Sequence, residues 1–181
     1  PLKLLVELLP ALVDSLVSEK RVQFRAKIGV EIEADLDNSY GAFVNINLTE
    51  LKRTLSNLVN NAVEALPDNK GRVIISVKNE TDSIKLVVAD NGKGIPEQIL
   101  GQLGEMGVTH GKEGTQSGSG LGVYHAKKAI ESFGGKFLID TKEGQGTTFT
   151  MLLPRTQAPK WFVEKLQFSP PIHIISLDDD V

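Results

Sequence analysis

The sequence predicts an α+β fold: a two-layer α/β sandwich whose single mixed, mostly antiparallel sheet is covered on one face by helices. Two observations carry this prediction. Two pairs of β-branched runs, "GRVIISVKN" with "SIKLVVAD" and "KFLID" with "GTTFTMLLP", are each joined by a connection of hairpin length. Amphipathic stretches of helical spacing separate them, so runs of strands alternate with helices, the pattern of an α+β domain. The size fits, since 181 residues with 40% hydrophobic and 24% charged content suffice for one packed domain and some appendages.

Taken in order, Leu2 to about Lys20 has helical apolar spacing, with Pro10 predicting a kink or break. "GVEIEADL" and "GAFVNI" read as two short strands. "NLTEL" opens a helix, with Asn47 as N-cap, Glu50 as its capping-box partner and Ile46 placed to staple onto Leu51. That helix runs to about Leu66, where Pro67 stops it. The first hairpin follows, turning at about Glu80 to Asp82. "IPEQIL" reads as a short helix with Pro96 in its first turn, and residues 101–120 form a glycine-laden loop of a length that is usually functional in a compact domain. "LGVYHAKKAIESFGG" is a helix ending at Gly134 and Gly135, and the second hairpin completes the sheet. From Arg155 a proline-spaced linker carries Trp161 and Phe162, then "IHIISL" reads as a buried strand.

Composition removes several function classes. The formal charge of −3, without a lysine and arginine cluster, argues against a nucleic-acid partner, and the absence of cysteine removes disulfides, thiolate zinc sites and cysteine nucleophiles. No run approaches the roughly 20 apolar residues of a membrane helix. The opening Pro1 and the closing "SLDDDV" read as cuts through something longer, so a membrane anchor would lie outside these residues and this domain is expected in the cytoplasm.

Four stretches carry chemistry. In "NLVNNAVEAL" three amides interrupt an otherwise good helix, although asparagine is a mediocre helix former. At about 3.6 residues per turn, Thr54, Asn57, Asn61 and Glu64 share one stripe, beside a buried face of Leu51, Leu55, Leu58, Val59, Ala62 and Leu66. On this stretch alone, a solvated polar face and a ligand-binding row explain it equally. "VVADNGKGIP" delivers Asp90 at a strand end, with Gly92 and Gly94 allowing a sharp bend before Ile95. A carboxylate there could accept a hydrogen bond from the exocyclic amine of a purine. Asp-Asn-Gly also signals a plain hairpin turn, but the helix-like "IPEQIL" that follows is no returning strand. "GSGLGV" leads glycines into a helix N-terminus, where free N–H groups and the helix dipole favour an anion. It fits neither common nucleotide fingerprint, because Val123 stands where the dinucleotide motif needs glycine and no GxxxxGK[ST] occurs. "EGQGTTF" is a glycine turn into the last strand. Each signal is weak alone, and their order is informative.

In that order they resemble the ATP-binding catalytic domain of sensor histidine kinases, within the group of ATPases that includes the gyrase B subunit, large heat-shock chaperones and mismatch-repair ATPases. The likeness runs from about Gly29 to Pro154 through "NLVNNAVEA", "DNGKGIP", "GSGLGV" and "GQGT". It implies ATP between the Asn57 helix and a lid at about residues 101–120, with Mg²⁺ on the Asn61 carbonyl and Asn57 assisting at the metal or phosphates. Asp90 would bind adenine with Gly92, Gly94, Ile95 and Thr147 close by, while Gly118, Ser119, Gly120, Leu121 and Gly122 would cradle phosphates. Hydrolytic relatives carry a water-activating glutamate where Asn57 stands; an amide cannot act as that base, so transfer to a protein acceptor is favoured.

Other residues depart from the family pattern. Glu64 occupies a place where kinases carry Lys or Glu, so a phosphate-binding lysine is absent there. In the lid, "LGEMGVTHGKEG" keeps Thr109 and Lys112 but has Leu103 and Met106 at hydrophobic positions. The catalytic set implied is therefore Asn57, Asn61, Glu64 and Lys112. None of His110, His125 and His173 suits a phospho-acceptor. The acceptor is expected on a dimerisation hairpin that makes the full protein a homodimer, residues 1–22 being the end of its second helix. The ATP-binding unit is then residues 23–154, the linker 155–170, and residues 171–181 the first strand of an attached receiver domain, with Asp178 and Asp179 as its acidic pair or as a solvated acidic end. A response regulator, attached or separate, is the implied downstream partner.

Overall fold

The computed structural model describes residues 4–96, 121–163 and 165. Strand β1 (Leu5–Leu8) leads into helix α1 (Leu9–Gln23), followed by β2 (Gly29–Asp35), β3 (Phe43–Ile46) and helix α2 (Leu48–Ala65). The hairpin β4 (Lys70–Asn79) and β5 (Ser83–Asp90) comes next, then helix α3 (Leu121–Ser132) and the hairpin β6 (Lys136–Lys142) and β7 (Gly146–Pro154). Five strands form one sheet in the order β2-β4-β5-β7-β6, parallel at β2 and β4 and antiparallel elsewhere, while β1 and β3 form a separate antiparallel pair.

Alternation within the strands decides which face is covered. Val73, Ile75 and Val77 of β4, Ile84, Leu86 and Val88 of β5, and Phe149, Met151 and Leu153 of β7 all bury in one apolar cluster with the three helices. The intervening Arg72, Lys78 and Lys85 lie on the other face, which no helix of the described residues covers. The predicted sandwich and both hairpins are therefore present. The α2 side of the core is the face read from the sequence: Leu51, Leu55, Leu58, Val59, Ala62 and Leu66 are all buried. Truncating one of them, for example Leu58→Ala, should cost about 2–5 kcal/mol through lost transfer energy and the cavity left behind.

The helix ends follow local rules. Asn47 Oδ1 accepts from Glu50 N at 2.9 Å, the predicted N-cap, and α2 ends one residue before Leu66 and two before Pro67. At the end of α3, Gly135 N donates to Ile130 O and Gly134 N to Glu131 O, both at 3.0 Å, with Gly134 at φ +77. This is a Schellman cap, and glycine at Gly134 adopts its left-handed backbone without the usual side-chain clash.

Two readings need correction. Pro10 does not kink a helix from Leu2; it lies in the first turn of α1, where a missing N–H goes unneeded, and the residues before it form β1, paired with β3. Leu9, Val13, Leu16 and Val17 of α1 lie in the same apolar cluster as α2 and the sheet. Thr54, placed on the polar stripe, is only 3% exposed and joins the buried face. The early part of the expected linker is docked as well. Thr156 N donates to Phe43 O at 2.9 Å, and the Phe162 ring packs on Phe43 and Tyr40 with centroids 4.8 and 4.9 Å apart.

A feature that sequence reading missed joins α1 to α2. Lys20 is 2% exposed, and its ammonium donates to Gln23 Oε1 at 2.8 Å and to Asn60 Oδ1 at 2.7 Å. Burial lowers its pKa from the ordinary lysine value. Neutral amides thus serve a buried cation, and one of the three asparagines in the α2 run is used for packing the helices together.

Candidate active site

Helix α2 presents Asn57 and Asn61 half-buried, one turn apart, with Glu64 exposed beyond them. The start of α3 closes on this stripe: a Cβ added at Gly122 would lie 3.4 Å from Asn61 Nδ2. The end of the third motif and the amide of the first are therefore neighbours, as a site shared between the two helices requires. Leu121 is the first residue of α3. Thr109, Lys112, Gly118, Ser119 and Gly120 lie outside the described residues, as do the rest of the predicted lid at residues 101–120, "IPEQIL" beyond Pro96 and the "IHIISL" element.

The second motif turns directly beneath the C-terminal end of α2. Lys93 N donates to Ala65 O at 3.0 Å, and Gly92 N donates to Asp90 Oδ1 at 2.8 Å. The turn is then fastened to the last hairpin, where Gly144 N donates to Lys93 O at 2.7 Å and Ile95 N to Thr141 Oγ1 at 3.0 Å. Gly94 has φ +67, and a Cβ there would sit 2.1 Å from Lys142 O, so only glycine fits this crossing. Gly92, Gly94 and Ile95 are thus placed between α2 and the β6–β7 turn.

Asp90 ends β5 directly opposite Thr147 of β7, which in turn pairs with Thr141 of β6. Opposed residues in adjacent strands share a face, so the three side chains form one row on the helix-covered side. Burial raises the pKa of the Asp90 carboxyl, and hydrogen bonds from the Gly92 and Thr147 backbone N–H groups pull it partly back. A partly desolvated carboxylate of this kind is a strong acceptor for a donor on a planar ligand. Thr147 itself is 4% exposed, with its hydroxyl 3.1 Å from that of Thr141. Thr141 and Asn91, whose Oδ1 accepts from Arg72 N at 2.7 Å, were not singled out from the sequence. Their roles depend on which strands become neighbours, and no local spacing signals that.

The donor set fits a magnesium nucleotide. Among the described residues no group of three or more His, Cys, Asp or Glu side chains could hold a metal by itself. A lone amide carbonyl at Asn61 suits an ion that takes most of its ligands from phosphates and water, as Mg²⁺ does.

Fold and site together define an ATP-binding α/β sandwich: an amide-bearing helix, a half-buried carboxylate at a strand end and glycine turns converging between them. The sequence profile of the family described as histidine kinase-, DNA gyrase B-, and HSP90-like ATPase matches residues 46–157, and the chain belongs to that family. Sporulation kinase A of Bacillus subtilis (strain 168) is 34% identical over 62% of this chain and 18% of its own length. Sensor protein DivL of Caulobacter vibrioides is 31% identical over 77% of this chain and 17% of its own length. The chain therefore spans less than a fifth of these two relatives. Among solved structures, the nucleotide-free catalytic domain of histidine kinase ThkA superposes with a TM-score of 0.71 at 24% identity, covering 84% of this chain and 97% of that one. That likeness confirms the sandwich.

Proposed function

We infer that this chain is the Mg²⁺-ATP-binding catalytic domain of a two-component sensor histidine kinase, and that the whole protein transfers the γ-phosphoryl group of ATP to a histidine on a dimerisation hairpin. The observation that carries this reading is the amide pair on α2, since Asn57 and Asn61 stand half-buried one turn apart beside the start of α3. Neither amide can take a proton from water, whereas both can orient a phosphate or a hydrated cation. The relatives named as kinases and sensor proteins support the same reading.

The residues divide the work. Asp90 accepts from the 6-amino group of adenine, with Thr147 beside it, and the turn through Gly92, Gly94 and Ile95 lets the base lie against backbone. Asn61, assisted by Asn57, holds Mg²⁺. When bound, Mg²⁺ would neutralise phosphate charge. The N–H groups of Gly118, Ser119, Gly120, Leu121 and Gly122 bind phosphate oxygens, with Thr109 as a further ATP-binding residue and Lys112 adding positive charge. Glu64 is exposed on the same stripe. A response regulator, or a receiver domain whose first strand is residues 171–181 with Asp178 and Asp179 as its acidic pair, takes the phosphoryl group onward, and the parent is a homodimer with its catalytic domains in the cytoplasm.

The test is γ-labelled ATP and Mg²⁺ with a chain extended upstream to restore the hairpin. Acid-labile, base-stable label on protein is the expected result. Bound nucleotide without transferred label would indicate a signalling module that only binds ATP, and steady phosphate release would indicate an ATPase.

A further inference from the structure

One hydroxyl outside the predicted site has every hydrogen-bonding position filled. Thr141 Oγ1 accepts from Ile95 N at 3.0 Å, lies 3.0 Å from Gly146 O and 3.1 Å from Thr147 Oγ1. A threonine hydroxyl has one hydrogen to donate and two lone pairs to accept with. The carbonyl of Gly146 can only accept, so the Thr141 hydrogen points to it; aimed elsewhere, it would leave two oxygens facing each other at 3.0 Å without a hydrogen between them. The remaining Thr141 lone pair then takes the hydrogen of Thr147. With its only hydrogen committed, Thr147 presents lone pairs alone on the side away from Thr141. Asp90 lies directly across the strand pair from it and also offers only acceptors. The row Asp90, Thr147, Thr141 therefore shows a ligand two acceptors and no hydroxyl donor.

We propose that Thr141 is a positioning residue for base selection: by holding the Thr147 hydroxyl as an acceptor beside Asp90, it makes the pocket favour a purine with a 6-amino donor over one with a 6-oxo acceptor. This rests on the reading of Asp90 and Thr147 as the base end of an ATP site. Thr141 does not touch the nucleotide; it acts through Thr147, and through Ile95 it also holds the glycine turn on which the base rests. Replacing it by valine keeps the shape and frees the Thr147 hydrogen to swing toward a 6-oxo group.

The experiment is calorimetric titration of the 181-residue chain and its Thr141→Val and Thr141→Ser variants with Mg²⁺-ATP and with Mg²⁺-inosine triphosphate, with melting curves alongside. Wild type should bind ATP more tightly than the inosine nucleotide. Thr141→Val should narrow the ratio of the two affinities by about three- to tenfold, the worth of one hydrogen bond, and Thr141→Ser should restore it. Equal weakening of both nucleotides, or an unchanged ratio, would make Thr141 a structural residue only and overturn the proposal. Should the valine variant fail to fold, Thr147→Val in the same assay removes the acceptor directly; it should narrow the ratio too, and an unchanged ratio would again overturn the proposal. Failure of wild type to bind either nucleotide would instead overturn the ATP-site reading itself, and this inference with it.

Discussion

Asn60 and Asn61 are consecutive, identical and on the same helix, yet one turns toward α1 and the other toward α3. Asn60 is consumed by the protein, its carbonyl holding the Lys20 ammonium at 2.7 Å. Asn61 lies against Gly122 at the start of α3, and among the described residues no hydrogen-bond partner is found for its amide. One asparagine completes a helix joint, and its neighbour is the one we propose as a ligand-binding residue. Residue type and helical position do not separate these uses; the identity of the element packed against each side does.

The contrast can be broken by mutation. Asn61→Ala should have the largest effect on function, lowering Mg²⁺-ATP affinity by at least about tenfold, the scale of one contact to a charged group, with the melting temperature nearly unchanged. Asn60→Ala should do the reverse: a loss of about 1–3 kcal/mol in denaturant unfolding, because a buried ammonium loses one of its two acceptors, with nucleotide affinity held. If Asn60→Ala weakens nucleotide binding as much as Asn61→Ala, the two sides of α2 are not separate. A double change, Lys20→Met with Asn60→Leu, sharpens the point by replacing the buried polar pair with apolar contact, and stability should return to within about 1 kcal/mol of wild type.

The smallest expected effect concerns Asp90. Its carboxyl pKa is raised by burial, so the folded state holds that proton more tightly than the unfolded chain does. The cost of keeping it ionised is fully present at neutral pH and is relieved as pH falls through the folded pKa toward the ordinary carboxylate value. Asp90→Asn should therefore be more stable relative to wild type at pH 7 than at pH 4, as measured by urea unfolding at both. An equal difference at the two pH values would remove burial as the cause.

Much of this was legible in the chain because it depends on local rules. The Asn47 cap, the end of α2 before Pro67, the Gly134 cap and both hairpins follow from short-range chemistry, and the placing of Asp90 opposite Thr147 follows once the hairpins are paired. Pro10 was misjudged because the same residue breaks a helix interior and suits a helix start, and only the pairing of β1 with β3 decides between them. Lys20 was invisible because a lysine in a helical repeat reads as solvated, and its burial depends on an amide 40 residues away. Thr141 was missed for the same reason, since its three partners come from two other segments, the glycine turn at Ile95 and the start of β7.

The most direct test of the assignment of Asn61 is the effect of Mg²⁺ on ATP affinity, measured by calorimetry for wild type and Asn61→Ala with and without the ion. Mg²⁺ should tighten ATP binding to wild type, and this gain should disappear in Asn61→Ala while a metal-free affinity remains. A variant that keeps the full Mg²⁺ gain would contradict the assignment, and the ligand-facing side of α2 would have to be reassigned.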